Sequence, residues 1–254
     1  MKKLLLALLV VGLITCLLIG CNGVTPPPGS EGEGEGEGEE EVTRVVLVEL
    51  FSQEGCANCA IVEPIFEQLA DEYDRDKVVF VEERAYGIYS LDEIRDRYEW
   101  YLPSSSDRET PNILFNGFNT THIHVSATYY TIKSKIILEL SKDAKISISA
   151  TRSSDSTTTT ISGTITNIGS SSLDNLVING MTFRDQGQVG LKYLVTDIFT
   201  EQEVKINILD PESSYDFSFT LEGFNWDANN IHGVIFVQDT DSSKKEILQN
   251  LYIK

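Results

Sequence analysis

The chain has 254 residues, a formal net charge of −19 and 41% hydrophobic residues. Its acidity argues against nucleic-acid binding and against electrostatic adsorption to anionic lipid, and its usual physical meaning is solubility. The length provides for a targeting segment and two small folded domains.

Residues 1–21 have the pattern of a targeting segment, with two lysines followed by the apolar run Leu4–Ile19. Leu18-Ile19-Gly20-Cys21 resembles the lipobox of bacterial lipoproteins, which implies that Cys21 carries lipid and becomes the first residue of the mature chain. An uncleaved anchor helix is the alternative, because the apolar run is close to the minimum spanning length. Both interpretations place the body of the protein outside the cytoplasm on a membrane surface, either periplasmic or at the cell surface.

Residues 22–43 are predicted to form a disordered tether. Three prolines stiffen its start, and Gly29–Glu41 alternates glutamate with glycine and contains no apolar residue. Such a stretch cannot bury enough surface to offset the entropy of ordering it. A solvated spacer is favoured over a cation-binding role.

Strand and helix patterns alternate over residues 44–143, which we interpret as one α/β domain. The predicted elements, in chain order, are strand Val45–Leu50, helix Cys56–Tyr73, strand Lys77–Glu82, a helix opened by a Ser90–Glu93 capping box and ending near Tyr101, strand Asn112–Phe115, an Asn116-Gly117 turn, a strand to Val125, and a helix capped by Ser126 and ending at Leu140. A helical insertion is expected between Tyr86 and Arg108.

Two cysteines, Cys56 and Cys59, lie where the first strand gives way to a helix. Free backbone N–H groups and the helix dipole stabilise negative charge at such a position, so a thiolate is favoured. Cys16 leaves with the leader and Cys21 carries lipid, so this pair has no other partner in the mature chain. In an oxidising compartment the two cysteines should pair with each other or react with another protein.

Two stretches resemble the thioredoxin superfamily. The first, Cys56-Ala57-Asn58-Cys59-Ala60-Ile61-Val62-Glu63-Pro64-Ile65, is similar to its active-site helix, including a proline five residues after the second cysteine. The second, Thr110-Pro111-Asn112-Ile113-Leu114-Phe115-Asn116-Gly117, resembles the Thr-Pro that opens the next strand, where the proline is cis and lies against the disulfide. The resemblance implies a thioredoxin-like fold and thiol–disulfide exchange.

Within this site, Cys56 is the predicted nucleophile, because it is expected at the exposed helix N-cap, and Cys59 is the predicted resolving thiol. Pro111, if cis, presents the backbone of Thr110 to an extended substrate. Ala57 and Asn58, between the cysteines, are the other predicted substrate contacts.

Carboxylates near the site set its expected electrostatics. Glu49 resembles the buried acid that the superfamily places behind the second cysteine, although a strand-end glutamate facing solvent is the alternative. Glu54 and Glu63 oppose thiolate formation, so extreme oxidising power is not expected. An inert structural disulfide is the competing interpretation of the cysteine pair.

No metal or cofactor is predicted. His122 and His124 would share a face of a strand and, with the two cysteines, have the composition of a zinc or copper site. Their spacing supports such a site poorly, so we interpret them as polar strand residues.

Residues 144–254 change character, with short alternating stretches separated by Ser, Thr, Asn and Gly turns. Seven or eight strands over this length favour an all-β immunoglobulin-like sandwich. The closing segments Gly233–Asp239 and Lys244–Gln249 resemble the final hairpin of a thioredoxin-like outer-membrane lipoprotein family. That resemblance implies a thioredoxin-like domain joined to a C-terminal β domain.

The leading functional hypothesis is a membrane-anchored extracytoplasmic thiol–disulfide oxidoreductase that acts on thiols or disulfides of exported proteins. The alternative is a non-catalytic surface lipoprotein that uses the same fold for binding or assembly.

Overall fold

The computed structural model describes residues 42–117, 126–223, 226–241, 243 and 245–254, without the side chain of residue 228. The predicted leader with Cys21, the tether, the strand ending at Val125, and His122 and His124 lie outside these residues. The described part is mostly β-structure with few helices.

Four helices are present in the described part: α1 (Cys59–Ala70), α2 (Asp92–Tyr101), α3 (Tyr129–Leu140) and α4 (Trp226–Asn229). Its strands are β1 (Val46–Gln53), β2 (Val78–Tyr86), β3 (Asn112–Phe115), β4 (Ile146–Ser154), β5 (Thr158–Asn167), β6 (Leu173–Arg184), β7 (Leu194–Ile198), β8 (Val204–Leu209), β9 (Ser214–Glu222), β10 (Ile231–Asp239) and β11 (Ile247–Ile253).

Both predicted helix caps are wrong. The N-cap of α2 is Leu91, and the Ser90 hydroxyl instead donates to the Gly87 carbonyl oxygen at 3.0 Å. The N-cap of α3 is Thr128, where Thr128 and Thr131 form a reciprocal capping box in place of Ser126. In each case the capping residue lies closer to the helix than predicted, because a nearby turn or a second hydroxyl competes for the same backbone groups.

An eight-stranded sheet combines strands from both predicted domains in the order β11-β10-β6-β7-β2-β1-β3, with β8 paired to β6. β1 is parallel to β2 and antiparallel to β3. β7 adds to β2 in parallel, which joins the N-terminal strands to the C-terminal ones. The predicted closing hairpin is confirmed, since β10 and β11 are antiparallel neighbours.

A three-stranded sheet, β4-β5-β9, packs over the β6, β8 and β10 region. Ile161, Ile165 and Phe219 are fully buried between the two layers. The residues that alternate with them along β5 and β9 carry mostly hydroxyl side chains, and cross-strand pairs such as Ser162 with Ser218 hydrogen-bond to each other. This alternation is the pattern of a sheet with one face in water.

One apolar core contains residues from both predicted domains. Leu50 and Phe51 of β1 belong to the same buried cluster as Met181 of β6 and Phe236 of β10. Residues Glu41–Lys254 accordingly form one compact unit. The boundary between residues 143 and 144 stays a prediction and does not show as a break in the packing.

No helix in the described part combines the length and apolarity that crossing a bilayer requires.

The shared core predicts that one unfolding transition serves both halves of the described part. Phe236 is buried in this core and its ring lies 4.9 Å from the Arg97 guanidinium carbon. Phe236→Ala should lower the free energy of unfolding by about 3–5 kcal/mol in urea titrations, because it leaves a cavity.

The matched control is Tyr215→Ala, at an exposed aromatic position, which should change stability by about 0.5 kcal/mol or less. Two separate transitions, with only one of them shifted by Phe236→Ala, would contradict a shared core.

Candidate active site

Cys56 and Cys59 form a disulfide at the start of α1. Cys56 is partly exposed and Cys59 is buried, as expected for an attacking and a resolving sulfur. The prediction that Cys56 is the N-cap is wrong, since α1 begins at Cys59 and Asn58 is its N-cap. Even so, the Cys59 N–H donates to Sγ of Cys56 at 3.1 Å, so a free amide of the first helical turn points at the exposed sulfur.

A tight turn between β1 and α1 places Cys56 at this position. Gly55 adopts the left-handed backbone conformation (φ 73°), which glycine allows without steric cost. The Cys56 N–H then donates to the Gln53 carbonyl, and the Cys56 carbonyl accepts from Ala60. The sulfur therefore lies at the junction of strand and helix.

Thr110 and Pro111 lie against the exposed sulfur. The Thr110–Pro111 peptide bond is cis, as the resemblance implied. The Thr110 carbonyl oxygen lies 3.5 Å from Sγ of Cys56, and the Thr110 hydroxyl lies 3.7 Å from the same atom. The two separate motifs of the sequence therefore meet at one sulfur atom.

Helix α2 holds the loop that carries Thr110. The Tyr98 hydroxyl donates to the Glu109 carbonyl oxygen at 2.9 Å and accepts from the Asn112 amide at 3.1 Å. The Tyr98 ring stacks on Phe51 of β1 with a centroid separation of 4.3 Å. The predicted helical insertion is confirmed, and it positions the proline loop.

Glu49 is buried but does not lie on the side of the sheet that α1 covers. Its carboxylate accepts from Arg97 Nε at 2.7 Å and from the Tyr101 hydroxyl at 3.1 Å, both on α2. Side chains alternate along a strand, so Glu49 and Phe51 face α2, whereas Ser52 faces the opposite side. Both oxygens of Glu49 are engaged by α2, and the role of Glu49 behind Cys59 stays a prediction.

Glu83 is fully buried beside Glu49. Burial and the neighbouring Glu49 carboxylate raise the pKa of Glu83 well above its ordinary value, and the Arg97 cation opposes the rise at 3.9 Å. One buried cation, Arg97, thus lies beside two buried carboxyl groups, at 2.6 Å from Glu49 and 3.9 Å from Glu83.

A second buried cluster lies on the α1 side of the sheet and is centred on Arg84. The guanidinium group of Arg84 lies 3.1 Å from Glu63 of α1 and 3.0 Å from Glu82, and the Ser52 hydroxyl donates to Glu82 at 2.7 Å. The Arg84–Glu82 contact is close but is not an aligned hydrogen bond, because Nε of Arg84 has no hydrogen-bond partner.

Burial raises the pKa of Glu82 to about 8, against the opposing charge of Arg84. Burial likewise raises the pKa of Glu63, and Arg84 again opposes the rise. Glu63 was expected to act as a free negative charge near the cysteines. The structure pairs it with Arg84, so its effect on a Cys56 thiolate is largely cancelled.

A cleft of about 500 Å³ opens beside Cys56. Gly55, Ala57 and Ala60 line it next to the disulfide, and Glu63 and Arg84 line it as well. Its walls come from two distant segments, residues 86–89 and 188–191. These walls and Arg84 were missed by sequence reasoning. The available signal was the run Glu82-Glu83-Arg84, which continues an otherwise apolar strand.

The remaining predicted contacts, Ala57 and Asn58, are exposed next to the disulfide, and their role in substrate binding stays a prediction. In the described ranges no three His, Cys, Asp or Glu side chains are grouped closely enough to hold a metal ion.

No protein-family model matches the sequence, and no curated protein sequence matches it. Among solved structures, HBP35 of Porphyromonas gingivalis has a TM-score of 0.63 at 16% sequence identity, over 83% of this chain and 74% of that one. At this identity the likeness shows a shared fold and nothing about activity.

Two further structures match smaller parts of the chain. A domain of the outer membrane lipoprotein Omp28 from Porphyromonas gingivalis has a TM-score of 0.31 at 17% identity, over 44% of this chain and 88% of that one. The thioredoxin-like superfamily protein SPOA0173 has a TM-score of 0.30 at 16% identity, over 39% of this chain and 82% of that one.

The raised pKa of Glu82 predicts a pH-dependent stability. The folded protein binds this proton more tightly than the unfolded chain, whose ordinary pKa is 4.5. The stability that Glu82 contributes is therefore complete below that value and is lost as the pH rises through about 8. Between pH 5 and pH 9, the free energy of unfolding of wild type should fall by roughly 3–5 kcal/mol more than that of Glu82→Gln, because glutamine does not ionise.

Urea titrations at both pH values measure this difference. Glu72→Gln is the control: a hydrogen bond from Lys133 lowers the pKa of Glu72, so that carboxylate is already ionised at pH 5 and the variant should show no relative gain. Equal pH profiles for wild type and Glu82→Gln would contradict the buried, protonated Glu82.

Proposed function

We propose that this protein is a thiol–disulfide oxidoreductase, anchored to a membrane outside the cytoplasm, that acts on exported proteins through Cys56 and Cys59. The observation that carries the proposal is the meeting of three features at one sulfur. Cys56 is partly exposed, a helix-terminal N–H donates to it, and Thr110 and a cleft lie beside it. A disulfide that only stabilised the fold would need none of these.

The exchange needs no cofactor. In the reducing direction the Cys56 thiolate attacks one sulfur of a substrate disulfide, and the other substrate sulfur leaves with the electron pair and takes up a proton. The Cys59 thiolate then attacks Sγ of Cys56, which re-forms the protein disulfide and releases the second substrate thiol. The reverse sequence oxidises a substrate dithiol.

This chain's own residues support both steps. The Cys59 amide, 3.1 Å from Sγ of Cys56, stabilises negative charge on that sulfur when it attacks or leaves. Cys59 is buried, so water is kept from the resolving sulfur. The proposed substrate contacts are the Thr110 backbone beside Pro111, together with Ala57 and Asn58.

The finer assignment of the fold belongs to the same proposal. The order β1-α1-β2-α2-β3-α3 fits a thioredoxin-like domain over residues 44–143. Strands β4–β11, in two packed layers, fit an immunoglobulin-like sandwich over residues 144–254, one layer of which is shared with the first domain.

The proposed anchor is lipid on Cys21, followed by the flexible tether over residues 22–43. Such an anchor holds the folded part near a membrane surface without a membrane-spanning helix, and several acyl chains would make the attachment stable. The partners are then thiols or disulfides of proteins in the same compartment.

The second candidate function is non-catalytic binding or assembly at the surface, with the disulfide permanently closed. The hydroxyl-rich outer face of the β4-β5-β9 sheet is compatible with such a role, and a shallow pocket on it is lined by residues 162–164 and 216–218, not by the disulfide. The disulfide beside the cleft therefore favours exchange.

Dithiothreitol-driven reduction of insulin tests the proposal. Wild type should accelerate precipitation of the insulin B chain, Cys56→Ser should fall to the uncatalysed rate, and Cys59→Ser should accumulate a mixed disulfide with its substrate, because the resolving step is lost.

Thermal melting of Cys56→Ser beside reduced wild type is the control, since both lack the disulfide and should unfold at similar temperatures. No acceleration by wild type, together with no trapped species in Cys59→Ser, would favour the binding role.

A further inference from the structure

The cleft beside Cys56 takes one wall from each half of the chain. Residues 86–89 begin at the last residue of β2, and residues 188–191 lie in the connection between β6 and β7, about a hundred positions later. Both walls carry exposed apolar side chains: Ile88 is 79% exposed and Val189 is 64% exposed. Exposing apolar groups to water costs free energy, and a partner that bound beside the sulfur would cover them.

The first wall is fixed to the turn that precedes Cys56. The Ile88 N–H donates to Oε2 of Glu54 at 3.1 Å, and the Glu54 N–H donates to the Tyr86 carbonyl at 3.3 Å. Gly87 lets the two segments approach, because a Cβ at this position would lie 2.7 Å from Cβ of Glu54. These hydrogen bonds fix the backbone of Ile88 next to the turn that carries Cys56.

The second wall is fixed to α1 through Gly190. Its carbonyl oxygen accepts from Arg84 at 2.9 Å, and its N–H donates to Glu67 at 2.7 Å. Gly190 has φ 79°, and a Cβ there would overlap the Glu63 carboxylate. The buried Arg84 cluster thus holds the loop of the C-terminal part against the active-site helix, with Val189 at the edge of the cleft.

The charges of the cleft select against a small anionic thiol. Arg84 is the one cation among the described lining residues, and its guanidinium group is already engaged by Glu63 at 3.1 Å and by the Gly190 carbonyl at 2.9 Å. Glu54 is engaged by the Ile88 amide. No cation among the described lining residues is left to hold a ligand carboxylate. The most exposed apolar side chains of the lining are Ile88 and Val189, which leaves apolar contact as its main recognition element.

We propose that this cleft binds an extended apolar segment of the exported protein whose cysteine reacts at Cys56, and that Val189 and Ile88 select for apolar residues next to that cysteine. The inference rests on the proposed thiol–disulfide exchange and adds the substrate preference. It also gives the C-terminal β-structure a part in the reaction site through Val189.

The test uses the full chain without its leader, reduced and then freed of reductant. Two peptides differ only in having leucine or serine on both sides of one cysteine, which carries a thionitrobenzoate disulfide. The Cys56 thiolate attacks the peptide sulfur, and thionitrobenzoate leaves with the electron pair. Cys59 then attacks Cys56 and releases the peptide thiol, so the protein dithiol is oxidised and the probe disulfide is reduced.

Wild type should react about tenfold faster with the leucine peptide than with the serine peptide, the ratio expected for burying roughly one apolar side chain. Val189→Asp should bring the ratio to about one, and Val189→Leu should keep it. Ile208→Asp is the matched control, because Ile208 is 57% exposed on β8 away from the cleft, and it should leave both rates unchanged.

Equal rates for the two peptides in wild type, or an unchanged ratio in Val189→Asp, would overturn the proposal while leaving exchange itself intact. A wild-type dimer that Val189→Asp dissociates would assign the cleft to a second copy of this chain and would also overturn it. If the reduced protein releases no thionitrobenzoate from either peptide or from free 5,5′-dithiobis(2-nitrobenzoate), the proposed oxidoreductase function fails instead.

Discussion

The rest of the site depends on the contacts of one buried side chain, Arg84. Its guanidinium group contacts Glu63 of α1, lies beside Glu82 of β2, and donates to the Gly190 carbonyl of the β6–β7 connection. A buried cation of this kind is costly unless several partners share it, and removing one partner would leave an uncompensated charge. The cysteine helix, the central sheet and the C-terminal loop are therefore held in a single arrangement by one side chain.

The two halves of the described part also share one sheet and one apolar core. β7 adds to β2 in the sheet, and Met181 and Phe236 share a core with the strands that carry the disulfide. A second cation, Arg97, lies on the opposite face of the sheet and compensates Glu49 with Glu83 beside it. Each face of the strands that lead to the cysteines thus has its own buried ionic cluster, and this fixes both α1 and α2.

Short-range motifs allowed much of the site to be predicted from sequence. The Cys56–Cys59 pair and the Thr110-Pro111 bond lie in local patterns whose chemistry depends on a few neighbouring residues. Arg84 escaped notice because its partner Gly190 is 106 positions away. The contacts of Glu49 with α2 could not be predicted, because alternation along a strand shows which residues share a face, not which helix covers that face. The cap at Ser90 failed because its hydroxyl bonds to the Gly87 carbonyl in the preceding turn, and the cap at Ser126 failed because Thr128 and Thr131 cap the helix instead.

The central claim is that Cys56 and Cys59 form a redox-active pair, and their equilibrium reduction potential measures it most directly. Titration against thiol–disulfide buffers, with the two states separated by alkylation, should give a value between about −180 and −270 mV, the range of known exchange catalysts. The paired Glu63 and the amide of Cys59 account for a potential in this range. A value below about −300 mV, typical of structural disulfides, would contradict the account.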